Sequence, residues 1–217
     1  MKDLFGGRIT RIAAQERDAN RLNVDLDGVF AFGVSREIAA EERLEVGMEL
    51  PAERVAAIIA HDQIGKATDR AINLLARRPR STREIRDRLR QKGFEPPTID
   101  AAVEKLEGWN YVDDAEFARY WVENRESHKP RGRRLLEQEL RTKGVERDVI
   151  RDAIDDAGLD ERASALEVGR AKLRTYAGLE PLVARRRLGS FLARRGYDYG
   201  TVRTTVDQLL GEQEDDS

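Results

Sequence analysis

The sequence predicts a mostly α fold: a tandem array of three three-helix repeats preceded by a small antiparallel β unit. Three observations predict it. A short signature, Lys92-Gly93-Phe94, Lys143-Gly144-Val145 and Arg195-Gly196-Tyr197, recurs at spacings of 51 and 52 residues. Apolar columns align in that register: Ile85/Leu136/Leu188, Leu89/Leu140/Leu192, Ile99/Ile150/Val202 and Val103/Ile154/Val206. Strand-like alternation, in contrast, is confined to the first sixty residues. A repeat of about fifty residues reads as a structural unit that buries its apolar face on its neighbours.

In the β unit, strand signals run over 8–13 and 22–34. Leu22, Val24 and Leu26 alternate with polar residues, Asp27-Gly28 supplies a turn, and Phe30, Phe32 and Val34 resume the pattern. A two-residue turn would set Phe30 and Phe32 opposite polar residues. A three-residue loop with a bulge would return them to the face of Leu22, Val24 and Leu26. The bulge is favoured, because a one-residue slip exchanges buried and exposed faces. A short helix is expected from Ser35, an interruption at Gly47, and another helix with Pro51 as its first residue.

Each repeat column has a physical reason. The helix carrying Leu89 ends at Gly93, where a left-handed residue is needed and glycine adopts it at least cost. In such an ending the residue after the glycine packs back on the helix, pairing Phe94 with Leu89, Val145 with Leu140 and Tyr197 with Leu192. The next column, Glu95/Glu146/Asp198, is always acidic and suits the positive end of the following helix. Ser81 with Glu84, and Asp113 with Glu116, read as capping boxes. The first unit's helices are expected over 68–78, 82–92 and 97–107. The second unit's first helix is placed at 115–127, with a loop at 128–131. The third unit begins near Glu161, with a loop at 177–181. The resulting domains are 1–60 for the β unit, 61–112, 113–160 and 161–211 for the repeats, and 212–217 for a disordered acidic tail.

Composition narrows the function. The 217 residues are 40% hydrophobic and 37% charged, with 39 Lys+Arg against 41 Asp+Glu and a formal charge of -2. The charged share exceeds the usual figure of about a quarter, yet the net charge points to no partner. The absence of cysteine excludes disulfides, thiolate metal sites and cysteine nucleophiles. No apolar run reaches the roughly 18 residues of a membrane helix, and Met1–Thr10 has no signal-peptide core. A cytoplasmic protein with no membrane contact, read as a monomer, is expected.

Two stretches then resemble a known family. They are Ala71-Ile72-Asn73-Leu74-Leu75-Ala76-Arg77-Arg78 through Ser81 and Glu84-Ile85, and Leu89 to Phe94. Tyr111-Val112-Asp113-Asp114 with Phe117-Ala118 and Trp121, then Arg131-Gly132 and Leu140 to Val145, continue the match. Together they resemble RecX, a tandem three-helix-repeat family, over roughly 65–210, and the β unit looks like the extension of its longer members. The third repeat is looser, with Gly169 inside its first helix and a longer loop. The resemblance implies binding in the groove of a RecA–DNA filament, inhibition of strand exchange and ATP hydrolysis, and direct contact with single- and double-stranded DNA.

The repeat register also aligns basic residues: Arg83/Arg134/Arg186, Lys92/Lys143/Arg195, and Arg90/Arg141 with Ala193 breaking the column. Arg83 and Arg90 lie seven apart on one helix face, as do Arg134 and Arg141. Arg77 to Lys92 holds eight basic residues against Glu84 and Asp87, and Arg185-Arg186-Arg187 is uniformly basic. Single charges of this kind are ordinarily solvated, and a cation near a helix C-terminus has a local reason to be there. A ladder repeated in one helix of each unit can instead face phosphates or an acidic protein surface. The candidate contacts are Arg83, Arg90, Arg131, Arg133, Arg134, Arg141, Lys143, Arg185, Arg186, Arg194 and Arg195.

Other constellations read blandly. Trp109, Tyr111, Phe117, Tyr120 and Trp121 are expected to pack in the core rather than stack on bases. His61 and His128 lack a metal-ligand cluster. Asp113 caps a helix, Asp155-Asp156 lie near a helix end, and Gly65-Lys66 lacks the rest of a phosphate loop. No catalytic constellation assembles, and no cofactor is expected. Two function classes remain: a filament-binding regulator, and a helical-repeat protein that binds DNA without RecA. A nuclease using the paired aspartates is a distant third.

Overall fold

The computed structural model describes residues 5–215, and the chain divides into two compact units. The first comprises Met1–Arg77 and Ile85–Tyr111; the second comprises Arg78–Glu84 and Val112–Ser217.

The first unit opens with an antiparallel sheet of β1 (Gly7–Gln15), β2 (Asp18–Leu26), β3 (Val29–Ser35) and β4 (Glu49–Leu50), in the order β3-β2-β1-β4. Leu26 pairs with Val29, so the hairpin loop has two residues, and Asp27 and Gly28 both take positive φ. That pair of left-handed residues is the turn whose twist matches the flanking strands. A register shift then separates Asp25↔Phe30 from Val24↔Phe32. The three-residue bulged loop expected from the sequence is thus not formed; the extra residue is taken up one pair further on, inside β3. It returns Phe32 and Val34 to the buried face and leaves Phe30 half exposed opposite Asp25.

α1 (Arg36–Glu41) starts at Ser35, whose hydroxyl accepts from the Ile38 N–H, and Pro51 precedes α2 (Ala52–Leu75) as its cap. α2 joins two helices that the sequence separates, so the expected boundary at 60/61 falls within a continuous helix. Its first half closes the sheet's core through Val55 and Ile58, against Ile9, Val24, Leu26 and Phe32. Asp62, on the next turn, is buried and binds Arg21, Lys66 and the Ser35 N–H. Burial alone would raise its pKa, but these partners outweigh burial and hold it below the carboxylate norm. The second half of α2 packs on α4 (Pro96–Gly108), with α3 (Thr82–Gln91) between them in sequence.

The second unit contains α5 (Asp114–His128), α6 (Arg133–Thr142), α7 (Arg147–Asp156), α8 (Glu161–Leu173), α9 (Pro181–Arg194) and α10 (Tyr199–Asp215). In each three-helix set the outer helices pack together, α5 on α7 and α8 on α10. Gly169 belongs to this packing: a Cβ there would meet Leu209 Cδ1 at 2.8 Å, so its missing side chain admits α10. The three middle helices end alike. Gly93, Gly144 and Gly196 have φ of 84°, 85° and 91°, and the next residue's N–H returns to the carbonyl of Leu89, Leu140 or Leu192. α10 continues to Asp215, into the stretch expected to be a disordered tail, and residues 216–217 lie outside the described ones. No helix among the described residues is long and apolar enough to cross a membrane.

Candidate functional site

The basic residues singled out by the repeat register divide into two groups. The first is spent inside the fold. Ser81 is fully buried; its hydroxyl accepts from the Glu84 N–H and donates to the Lys143 carbonyl at 2.7 Å. Lys143 Nζ meets Glu84 Oε1 at 2.7 Å and lies 4.3 Å from the Trp121 ring centroid. Arg78 binds the same carboxylate through two nitrogens. Burial would raise the Glu84 pKa, but Arg78 and Lys143 together bring it down to about 2. The Arg83 stem covers Gly144, where a Cβ would meet Arg83 Cδ at 2.5 Å.

The same joint recurs fifty residues on with different chemistry. The Gly132 N–H donates to the Arg195 carbonyl at 2.9 Å. A Cβ on Gly132 would meet the Gly196 backbone at 2.4 Å, and one on Gly196 would meet Leu135 Cβ at the same distance. Arg195 donates to the Pro130 carbonyl and lies over Phe191 at 5.0 Å. Burial lowers its pKa, and the neighbouring charge of Arg131 adds to that. Arg131 itself points Nε toward Glu139 at 3.7 Å. Arg133 bridges Glu137 and Asp155, and its N–H donates to Glu161. Arg131, Arg133, Lys143 and Arg195 thus have internal tasks. Lys92, at the matching position of the first repeat, is exposed.

The second group faces solvent. On α6, Leu136 and Leu140 are buried, while Arg134, Gln138 and Arg141 are exposed or nearly so along the other face. On α9, Leu188 and Leu192 are buried, while Arg185, Arg186 and Arg194 are exposed. Arg185 pairs with Asp207 and Arg90 with Asp87. Among the described residues, Arg134, Arg141, Arg186 and Arg194 make no ion pair. Arg134 and Arg194 line one open hollow of about 390 Å³, floored by Leu135 and Val202 and edged by Tyr199. Tyr199 is 77% exposed. The sequence reading missed it; the signal available was an aromatic in the first turn after Tyr197-Asp198. Asp198 caps that turn, accepting from the Thr201 hydroxyl and from the Thr201 and Gly200 N–H groups, and these bonds lower its pKa.

The aromatics expected in the core also divide. Phe117 is buried and Trp121 packs beside it, donating Nε1–H to Glu139. Trp109 and Tyr111 are about half exposed and meet edge to face, with Lys105 over Trp109. Asp113 caps α5 by accepting from Ala115 and Glu116, and Asp155 pairs with Arg133. Among the described residues, no cluster of three or more His, Cys, Asp or Glu is placed to hold a metal ion.

Comparison with known proteins agrees with this architecture. The first, second and third RecX three-helix domain models match residues 67–106, 113–154 and 160–206, and the regulatory protein RecX N-terminal domain model matches 7–51. The regulatory protein RecX of Bacillus subtilis is 29% identical over 96% of this chain and 80% of its own length. That of Clostridium perfringens is 28% identical over 95% of this chain and 98% of its own. A crystal structure of regulatory protein RecX superposes with a TM-score of 0.75 at 26% identity, covering 92% of this chain and 98% of that one. With its β unit and all three helical repeats matched, the chain belongs to the RecX family of regulatory proteins.

Proposed function

We propose that the chain binds a RecA–DNA filament and restrains its strand exchange and ATP hydrolysis, acting in the cytoplasm as a monomer and without catalysis of its own. The observation that carries this reading is the set of exposed cations on α6 and α9. Arg134, Arg141, Arg186 and Arg194 are held by rigid helices, and none has an ion-pair partner among the described residues. Membership of a family of regulatory proteins supports the choice of a regulator over an enzyme. Charges arranged this way raise encounter rates and set register on an anionic partner. The test is ATP hydrolysis by RecA on single-stranded DNA, followed while the chain is titrated in. Suppression at or below stoichiometric amounts is expected; unchanged hydrolysis across the titration contradicts it.

The same cations favour one second reading, a DNA-binding protein that needs no RecA. A steep salt dependence of binding to bare DNA, with no effect on RecA, selects that reading.

A further inference from the structure

We infer that the hollow edged by Arg134, Arg194 and Tyr199 is a seat for one unpaired nucleobase of a single-stranded nucleic acid, with the flanking phosphates on the two arginines. This deepens the reading above, resting on its choice of the Arg134 face as the functional one, and names the ligand that part of the face takes.

The hollow combines features that a phosphate rail alone does not need. Its floor is apolar, made by Leu135 and Val202, and its volume is about 390 Å³. Tyr199 stands in the first turn of α10 with most of its ring in solvent, although a core could have buried it. Proteins that bind single strands use uncovered aromatic rings as stacking platforms for bases, whatever the sequence. Arg134 and Arg194 stand at its rim without ion-pair partners among the described residues, and Gln138 adds an amide able to meet a base edge. The Asp198 carboxylate accepts from the N–H groups of Gly200 and Thr201 and feels the Arg134 charge without forming an ion pair with it.

Ligand chemistry separates the alternatives. A duplex keeps its base faces stacked and offers only backbone and groove edges, leaving the apolar floor unmatched. An acidic peptide would satisfy the arginines, but it brings amide groups that need partners. Of the residues lining the hollow, Leu135, Gly196, Tyr197 and Val202 have N–H groups already bonded within the chain, to the carbonyls of Gly132, Ala193, Leu192 and Asp198. An unpaired nucleotide brings a flat apolar face, a polar edge and a phosphate on either side.

The experiment is a binding titration of the full chain, without RecA, using three fluorescent probes: a short oligothymidylate, an abasic strand of equal length, and a blunt duplex. The oligothymidylate is expected to bind roughly tenfold more tightly than the abasic strand, the scale of stacking one base on an aromatic. Tyr199→Ala should abolish that difference, and Tyr199→Phe, which keeps the ring, should restore it. Because Tyr199 is exposed, the unfolding midpoint should not move, so a loss of binding is not a loss of fold. Arg134→Gln with Arg194→Gln should lower the slope of log affinity against log salt by about 1.4, the single-strand value for two phosphate contacts. Equal binding of abasic and base-bearing strands, or unchanged discrimination by Tyr199→Ala, overturns the proposal. So does displacement of the oligothymidylate by an acidic peptide at lower concentration than by unlabelled strand, which would assign the hollow to a protein. No RecA is present in these titrations, so their failure leaves the hydrolysis test standing, and failure of that test leaves these results standing.

Discussion

Two basic columns run through the same middle helices and do different work. The Lys143/Arg195 column, at the helix C-termini, is folded inward: Lys143 is held by Glu84 and Trp121, and Arg195 by the Pro130 carbonyl and Phe191. The Arg134/Arg186 column, two turns earlier, points into solvent without ion-pair partners among the described residues. Sequence alone gives both columns the same charge and period. The difference is what lies opposite: the first column meets the start of the preceding middle helix, and the second has no ion-pair partner among the described residues. A repeated charge is therefore a functional signal only after the contacts between repeats have been subtracted.

The sharpest way to break the comparison is at the joint itself. Gly196→Ala is expected to cost about 3 kcal/mol or more, combining left-handed strain with a Cβ that overpacks against its neighbour. That Cβ would lie 2.4 Å from Leu135 Cβ. Gly93→Ala, where no atom lies within 4 Å of the added Cβ, should carry the strain alone and cost about 1–2 kcal/mol. Denaturant midpoints of the two variants measure the contribution of close approach. If they fall equally, the joint contributes nothing beyond backbone conformation.

The next effect is smaller and depends on pH. Because the Glu84 pKa is depressed to about 2 in the folded chain, its stabilisation is fully present above its ordinary value of 4.5 and fades as pH falls toward 2. Glu84→Gln should cost about 2 kcal/mol at neutral pH, the scale of a lost hydrogen bond to a charged group. It should also flatten the acid limb of the stability curve. Urea titrations at several pH values between those limits would show both changes; an unchanged acid limb would place the acid sensitivity elsewhere, with Asp62 the first alternative.

Much of this was legible in the sequence, and the residues show why. Gly93, Gly144 and Gly196 announce their helix ends because a left-handed residue leaves a chemical mark, and the apolar columns follow from helical period. What stayed hidden depends on partners distant in the chain. The β-bulge near Phe30 lies inside a strand, where no turn residue flags it, and β4 has only two residues and so shows no period. The continuity of α2 was masked because its two halves bury against different neighbours, the sheet and α4, which breaks a single amphipathic pattern. In the candidate site, Arg133 and Lys143 look like surface cations until Asp155 and Glu84 appear beside them. Tyr199 shows only as an aromatic in a first helical turn, and that position alone does not separate an exposed ring from a buried one.

The smallest expected change in stability accompanies the most informative change in function. Reversing Arg134→Glu with Arg141→Glu alters two exposed charges opposite the Leu136 and Leu140 stripe, so the unfolding midpoint should move by about 0.5 kcal/mol or less. Binding to an anionic filament should weaken, and the loss should shrink as salt rises. The direct test is therefore RecA-catalysed ATP hydrolysis at low salt, titrated in parallel with the unaltered chain and with the doubly reversed variant. Suppression by the former, and little or none by the equally stable variant, is the expected result. Equal suppression by both would contradict the account and return the exposed column to an ordinary solvated face.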